Sequence, residues 1–305
     1  MRTSSVHTGP ARLAAAAAAL ALLPLATAAA VEPRALWDMP SELFSNPLYG
    51  APDNDFGCRS AHNPVVLLHG LSASREVDLN TLSWHLKDLG YCVFSETYGA
   101  HPIPSWIGGL RHMRDSAQDI ARFVREVRDK TGAAKVDLVG HSEGGVMAIY
   151  VPMTQAGIAD IVGHNIALGP AIHGAEYYGF TDLFYFGGEV TRRLASLVLK
   201  TIGCPACDDM ATGGAVHSDF RNAPRIVQPG NKASIIVSTK DTLVAPDVSR
   251  IEEEGVRNVV VQDKCPDDPV GHAGLAWDKT VWELVINELT EDYGRPFECD
   301  KGIVI

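Results

Sequence analysis

"KVDLVGHSEGG", Lys135 to Gly145, is the stretch whose reading decides the fold. Its first residues read as a buried strand. They run into Ser142, which Gly140 and Gly144 flank, with Gly145 following. The next run, "GGVMAIYV", reads as a helix that Pro152 ends or kinks. A serine on such a corner takes a strained backbone conformation, so its neighbours must be small. The corner lifts the serine Oγ clear of the sheet. It also sets it at a helix N-terminus, where amide N–H groups and the helix dipole favour negative charge. G-x-S-x-G alone is common in ordinary turns, but between a strand and a helix it reads as a nucleophile elbow.

The flanking sequence repeats the strand-then-helix order. "PVVLLHG" (64–70), "YCVFSETY" (91–98), "HNIALG" (164–169), "ASIIVS" (233–238) and "NVVVQD" (258–263) are short apolar or β-branched runs that read as strands. "SWHLKDLG" (83–90) reads as a helix ended by Gly90. Between Met113 and Lys130 the apolar residues Met113, Ala117, Ile120, Ala121, Val124 and Val127 fall at helical spacing. "AWDKTVWELVINEL" closes the pattern with a last helix. Alternating strands and helices predict a mostly parallel central sheet with helices on both faces. Residues 171–230 break the alternation. They read as a loop-rich insertion headed by "EYYGFTDLFYFGG", either packed on the core by its aromatics or lying as a cap over a site.

A serine at its ordinary pKa is a poor nucleophile and needs a base, which in turn needs an orienting acid. In folds with this elbow the chain order is Ser, then Asp or Glu, then His. His272 in "DDPVGHAGL" lies between the last strand and the last helix, where the base belongs. His217 precedes the acid and is out of order. Asp241 directly follows "ASIIVSTK" at a strand's carboxyl end, and that position favours it over Asp247, Asp263, Asp267 and Asp268. A tetrahedral intermediate needs two N–H donors. The Glu143 amide, next to the nucleophile, is one. The Leu71 amide, in "LLHGLSAS" after the first strand, is the other. His69 and His141 are expected to do structural work. This chemistry needs no metal or organic cofactor.

The chain has 305 residues, 46% hydrophobic and 21% charged, with a net charge of -11. That acidity argues against nucleic acid or an anionic membrane as a partner, but not against a neutral ester. Residues 1–30 carry Arg2 and Arg12, then "LAAAAAALALLPLA", then small residues: the layout of a cleaved secretory signal peptide rather than a stable membrane anchor. Residues 31–57 read as an irregular lead-in, and 58–305 as the catalytic domain carrying the insertion 171–230. An exported chain with six cysteines suggests disulfides. Six allow fifteen pairings, and sequence alone does not choose among them. The expectation is Cys58 with Cys92, Cys265 with Cys299, and the local Cys204 with Cys207.

Together these residues carry a resemblance. "PVVLLHG", "GYCVF", "KVDLVGHSEGG", "LGPAIHG", "CPAC", "STKDTLVAP" and "KCPDDPVGHAGLAWD" resemble the secreted class 2 lipases of the α/β-hydrolase fold, from about Pro64 to the last helix. The resemblance implies a serine esterase acting on acylglycerols or related esters at a lipid–water interface. It implies a nucleophile at Ser142, an acid at Asp241 and a base at His272. Two departures bear on rate and substrate range. Glu143 stands where the family usually has Gln, and Leu71 where it often has Thr, with Ser72 as the alternative hydroxyl. The expected protein is a monomeric, secreted triacylglycerol lipase. A polyester or cutin esterase with the same triad is the near alternative, and a catalytically silent binding module the remote one.

Overall fold

Strand β1 (Val65–Leu68) is apolar at every position because both of its faces are buried. Val66 and Leu68 enter one hydrophobic cluster and Val65 and Leu67 the other. The structure, a computed structural model, describes residues 50–102, 105–174 and 203–302. Its elements fall within the unit Met39–Ile305; the unit Met1–Asp38, which includes the expected signal peptide, lies outside the described residues.

After β1 come α1 (Asn80–Asp88), β2 (Val93–Ser95), α2 (Met113–Thr131), β3 (Val136–His141), α3 (Glu143–Thr154), α4 (Ile158–Ile161) and β4 (Val162–Leu168). Beyond the insertion's start lie α5 (Pro205–Met210), α6 (Ala215–Asn222), β5 (Lys232–Val237), α7 (Pro246–Ser249), β6 (Val256–Val260) and α8 (Val261–Lys264). A 3-10 turn (Ala273–Ala276) and α9 (Lys279–Thr290) complete the order. The six strands form one sheet in the order β2-β1-β3-β4-β5-β6, and every neighbouring pair is parallel. Helices α2 and α3 bury their apolar side chains on one face, and α1 and α9 on the other. Each buried Val, Leu or Ile contributes about 1.5–3 kcal/mol, so the two layers hold the sheet from both sides. This is the parallel sheet with helices on both faces that the alternation predicts, and it is the α/β-hydrolase architecture that the resemblance implies.

Four details depart from the sequence reading. The helix after the elbow continues through Pro152 to Thr154, and the Thr154 hydroxyl donates to the Tyr150 carbonyl. Proline near a helix's last turn removes only one late donor, and burial of α3 along most of its length holds it in register. Strand β2 is three residues long rather than eight, because the chain turns after Ser95 to cross the end of β1, where the Tyr98 hydroxyl donates to the His69 carbonyl at 2.7 Å. "NVVVQD" is split. β6 ends at Val260, and residues 261–264 form a helical turn that frees Gln262 to bond Ser238, Thr239 and Asp268. The insertion is not loop alone, since 203–230 holds α5 and α6. Its aromatic head at 177–186 lies outside the described residues.

Asn54 in the segment before Cys58 lies alongside β2. Its Oδ1 accepts from the Ser95 N–H and its Nδ2 donates to the Ser95 carbonyl, both at 2.9 Å. Three disulfides join Cys58 to Cys92, Cys204 to Cys207 and Cys265 to Cys299. The first ties the irregular segment to the start of β2, and the last ties the approach to the His272 loop to the C-terminal segment. The Cys265–Cys299 bridge spans 34 residues. Replacing both cysteines by serine is expected to lower the unfolding free energy by about 3–4 kcal/mol, because the unfolded chain regains the closed loop's entropy. Urea unfolding followed by circular dichroism measures this; an unchanged midpoint and slope would contradict it.

Candidate active site

The parallel register brings the carboxyl ends of four strands level. Leu68 pairs with Gly140, His141 with Leu168, and Leu168 with Ile236. Leu71 follows β1, Ser142 follows β3 and Asp241 follows β5, while His272 lies in the loop beyond β6 and α8. At β3 the chain turns on Ser142, whose φ of 55° and ψ of -118° lie outside the usual range of an L-residue. The Ser142 N–H donates to the Leu168 carbonyl at 2.8 Å and its carbonyl accepts from Val146, so both sides of the corner are pinned. The flanking glycines are needed for space. A Cβ on Gly140 would lie 2.0 Å from the Gly144 carbonyl oxygen, and one on Gly144 would lie 2.0 Å from the Leu68 carbonyl oxygen.

Ser142 Oγ is 2.9 Å from His272 Nε2, and His272 Nδ1 is 2.6 Å from Asp241 Oδ2. A carboxylate only accepts, so Nδ1 carries the imidazole proton. Nε2 then accepts from the serine hydroxyl. Asp241 is buried, and its other oxygen accepts the N–H groups of Leu243 and Val244, each at 2.8 Å. That turn fixes the carboxylate plane. Ser238 and Gln262 lace the Asp241 loop to the His272 loop: Ser238 donates to the Val270 carbonyl, and Gln262 donates to Ser238 and to the Asp268 carbonyl. The sequence reading did not single out either residue. A polar residue just after each of two adjacent strands was the available signal. The alternative acids stay off the serine–histidine line, and Asp268 is instead buried against the Val270 N–H.

Among the described residues, the Leu71 and Glu143 amides have no protein acceptor. Leu71 lines a cleft of about 270 Å³ together with Ser142, His272, Val77, Leu243 and Trp277. Its amide shares a peptide plane with the Gly70 carbonyl, which accepts from His69 Nδ1 at 2.8 Å. A trans peptide points its N–H away from its C=O, so His69 sets the direction of the Leu71 N–H. Burial keeps His69 below its ordinary pKa, and its ring stacks on Tyr98. Ser72, the alternative hydroxyl, is exposed at φ 58°.

The Glu143 side chain does not line the cleft. It is fully buried against Gly109, where a Cβ would meet its Oε2 at 2.4 Å, and neither carboxyl oxygen has a hydrogen-bond partner among the described residues. Burial, with Asp209 adding repulsion, pushes its pKa well above the ordinary glutamate value. Burial thus favours the neutral acid, and the side chain is turned away from Ser142 and the cleft.

The family Lipase (class 2) matches residues 62–175. A triacylglycerol lipase of Burkholderia plantarii is 29% identical over 169 residues, 54% of this chain and 41% of that protein. A triacylglycerol lipase of Pseudarthrobacter phenanthrenivorans is 28% identical over 124 residues, 39% of this chain and 36% of that protein. The matched part is thus about two fifths of the length of these curated relatives. Lipase B of Aspergillus fumigatus superposes with a TM-score of 0.59 at 16% identity, covering 79% of this chain and 55% of that one. Residues 62–175, the part similar to the class 2 lipase family, run from the approach to β1 through the elbow and past the end of β4.

Glu143 gives a pH-dependent prediction. Its folded pKa lies above the unfolded value of 4.5, so above that pH the folded protein keeps a proton that the unfolded chain loses. Stability from this group is fully present at low pH and declines as pH rises. Glu143→Gln is expected to raise the melting temperature at pH 8 by about 3 °C or more, with the gain shrinking toward pH 4.5. Thermal scans across that range decide it. A gain of equal size at both ends would point to packing rather than protonation.

Proposed function

We propose that this chain is a carboxylic-ester hydrolase of the lipase type, working through an acyl-enzyme on Ser142. The observation that carries the reading is the Ser142–His272–Asp241 hydrogen-bond chain at a strained elbow, beside two amides that have no acceptor among the described residues. His272 Nε2 takes the serine proton as Oγ bonds to the ester carbonyl carbon. The carbonyl π electrons move to oxygen, and the Leu71 and Glu143 N–H groups bind that oxyanion. Asp241 holds the His272 tautomer and offsets the imidazolium charge. Collapse breaks the bond to the alcohol oxygen, which leaves with the proton from His272. Water, deprotonated by His272, then attacks the acyl carbon and frees the acid and Ser142.

The apolar side chains at the cleft, Val77, Leu243 and Trp277, support an apolar acyl or glyceride substrate. The two curated relatives, both triacylglycerol lipases, support the same class. The burial of the Glu143 side chain away from the cleft supports the enzyme reading over a silent binding module. Export belongs to the reading, supported by the layout of residues 1–30 and by three disulfides, which persist in oxidising compartments. In this reading the catalytic domain begins near Cys58, and the described part of the insertion, 203–230, contributes α5 and α6.

The test compares an emulsified long-chain triacylglycerol with a soluble short-chain ester. Ser142→Ala and His272→Ala are expected to lower kcat by about 10⁵-fold or more on both, and Asp241→Asn by about 10⁴-fold. Full activity in Ser142→Ala would end the serine reading. Wild-type activity on the soluble ester alone would shift the assignment to a polyester or small-ester hydrolase. A wild-type protein that resists a fluorophosphonate label would favour the silent module.

A further inference from the structure

Asp78 and His141 form a buried pair beside the proposed triad without belonging to it. Both are at least nine-tenths buried. Asp78 Oδ2 accepts the Gly70 N–H at 2.5 Å. His141 Nδ1 lies 3.0 Å from that oxygen and 3.1 Å from Oδ1. On the other side of the ring, Nε2 is 2.9 Å from the His272 backbone carbonyl. A backbone carbonyl can only accept, so Nε2 carries a proton. Against a carboxylate that already accepts an amide N–H, Nδ1 carries one too, which makes His141 an imidazolium. Burial pushes His141 down, but the charge and hydrogen bond of Asp78 outweigh it and hold the ring above its ordinary value. Burial likewise pushes Asp78 up, and His141 with the Gly70 N–H outweighs that, holding the carboxyl below its ordinary value. The other titratable groups near the pair are the His272 ring, 5.2 Å away by ring centroids, together with Asp241 and His69.

Resting on the ester-hydrolase reading, we propose that Asp78 and His141 are positioning residues for the reaction: one ion pair joins three loops, holding Gly70 ahead of the Leu71 oxyanion amide at one end and the backbone of the base His272 at the other. The pair links the ends of β1 and β3 to the base loop that follows α8. The sequence separations are 63 residues for Asp78–His141 and 131 for His141–His272. It fixes the heights of the oxyanion donor and of the imidazole relative to each other. Misplacement on the scale of 1 Å costs about 10²-fold in rate without weakening substrate binding. The Asp78 contribution is present above the ordinary aspartate pKa and is lost as pH falls through its folded value. The His141 contribution is lost as pH rises through its own raised value.

Asparagine at position 78 can keep all three hydrogen bonds without the charge. Its Oδ1 accepts from Gly70, and its Nδ2 donates to the Nδ1 of a His141 that has become neutral. Asp78→Ala is therefore expected to lower kcat on the soluble ester by about 10²-fold with KM within about twofold, and Asp78→Asn to restore at least tenfold of that loss. Nitrogen-15 NMR at pH 7.5 is expected to find both ring nitrogens of His141 protonated in the wild type and only Nε2 in Asp78→Asn. A neutral His141 in the wild type overturns the proposal, and this reading needs neither a folded alanine variant nor any activity. So does an Asp78→Ala protein with wild-type circular dichroism and wild-type kcat. With Ser142→Ala as the blank, wild-type activity that does not depend on Ser142 would count against the hydrolase reading instead.

Discussion

The close crossing of α3 over the ends of β1 and β3 is the constraint on which the site depends. The Leu68 carbonyl sits where a Cβ on Gly144 would be, and the Gly144 carbonyl where a Cβ on Gly140 would be. Contact this tight leaves the chain one way round the corner, through Ser142 at positive φ. The strain at Ser142 is offset by the two hydrophobic layers and by hydrogen bonds on both sides of the corner. The position of Ser142 is thus set by backbone packing, before any side chain of the site is considered.

Charge is managed by burial and pairing rather than by solvent. Asp241 accepts two amides and an imidazole proton, so its charge is spread over three donors. Asp78 is satisfied in the same way by an amide and a second imidazole. Glu143 has no such donors among the described residues, and burial raises its pKa, favouring the protonated form. Three buried acids close to one serine thereby reach three different electrostatic solutions, and only Asp241 presents its charge to the serine's histidine.

Much of this architecture was readable from local pattern. The elbow, the β-branched strands and the order Ser142, Asp241, His272 each depend on short-range sequence, and the structure brings those three side chains into one hydrogen-bonded line. Asp78 was not readable, because an acid ahead of α1 looks like any solvated loop carboxylate until the sheet sets it against His141. The end of β6 was misread for a related reason. Val261 continues a β-branched run, but the demand of the Ser238 and Asp268 loops for Gln262 turns the chain. Glu143 was legible as a departure from the family pattern, but not as a neutral group, since protonation depends on burial that only the packed structure supplies.

The bracket that Asn54 places on Ser95 has a consequence for self-association. Strand β2 is an outer strand of the sheet, and outer strands offer unpaired backbone groups on which another chain can continue the ladder. Here the N–H and C=O of Ser95 are already taken by one side-chain amide, which imitates the backbone of a missing neighbour. The Cys58–Cys92 bond keeps that segment from peeling away. Sheet growth from this side must first displace a covalently tethered mimic. The border is thus closed to aggregation by an internal decoy rather than by a charged gatekeeper residue.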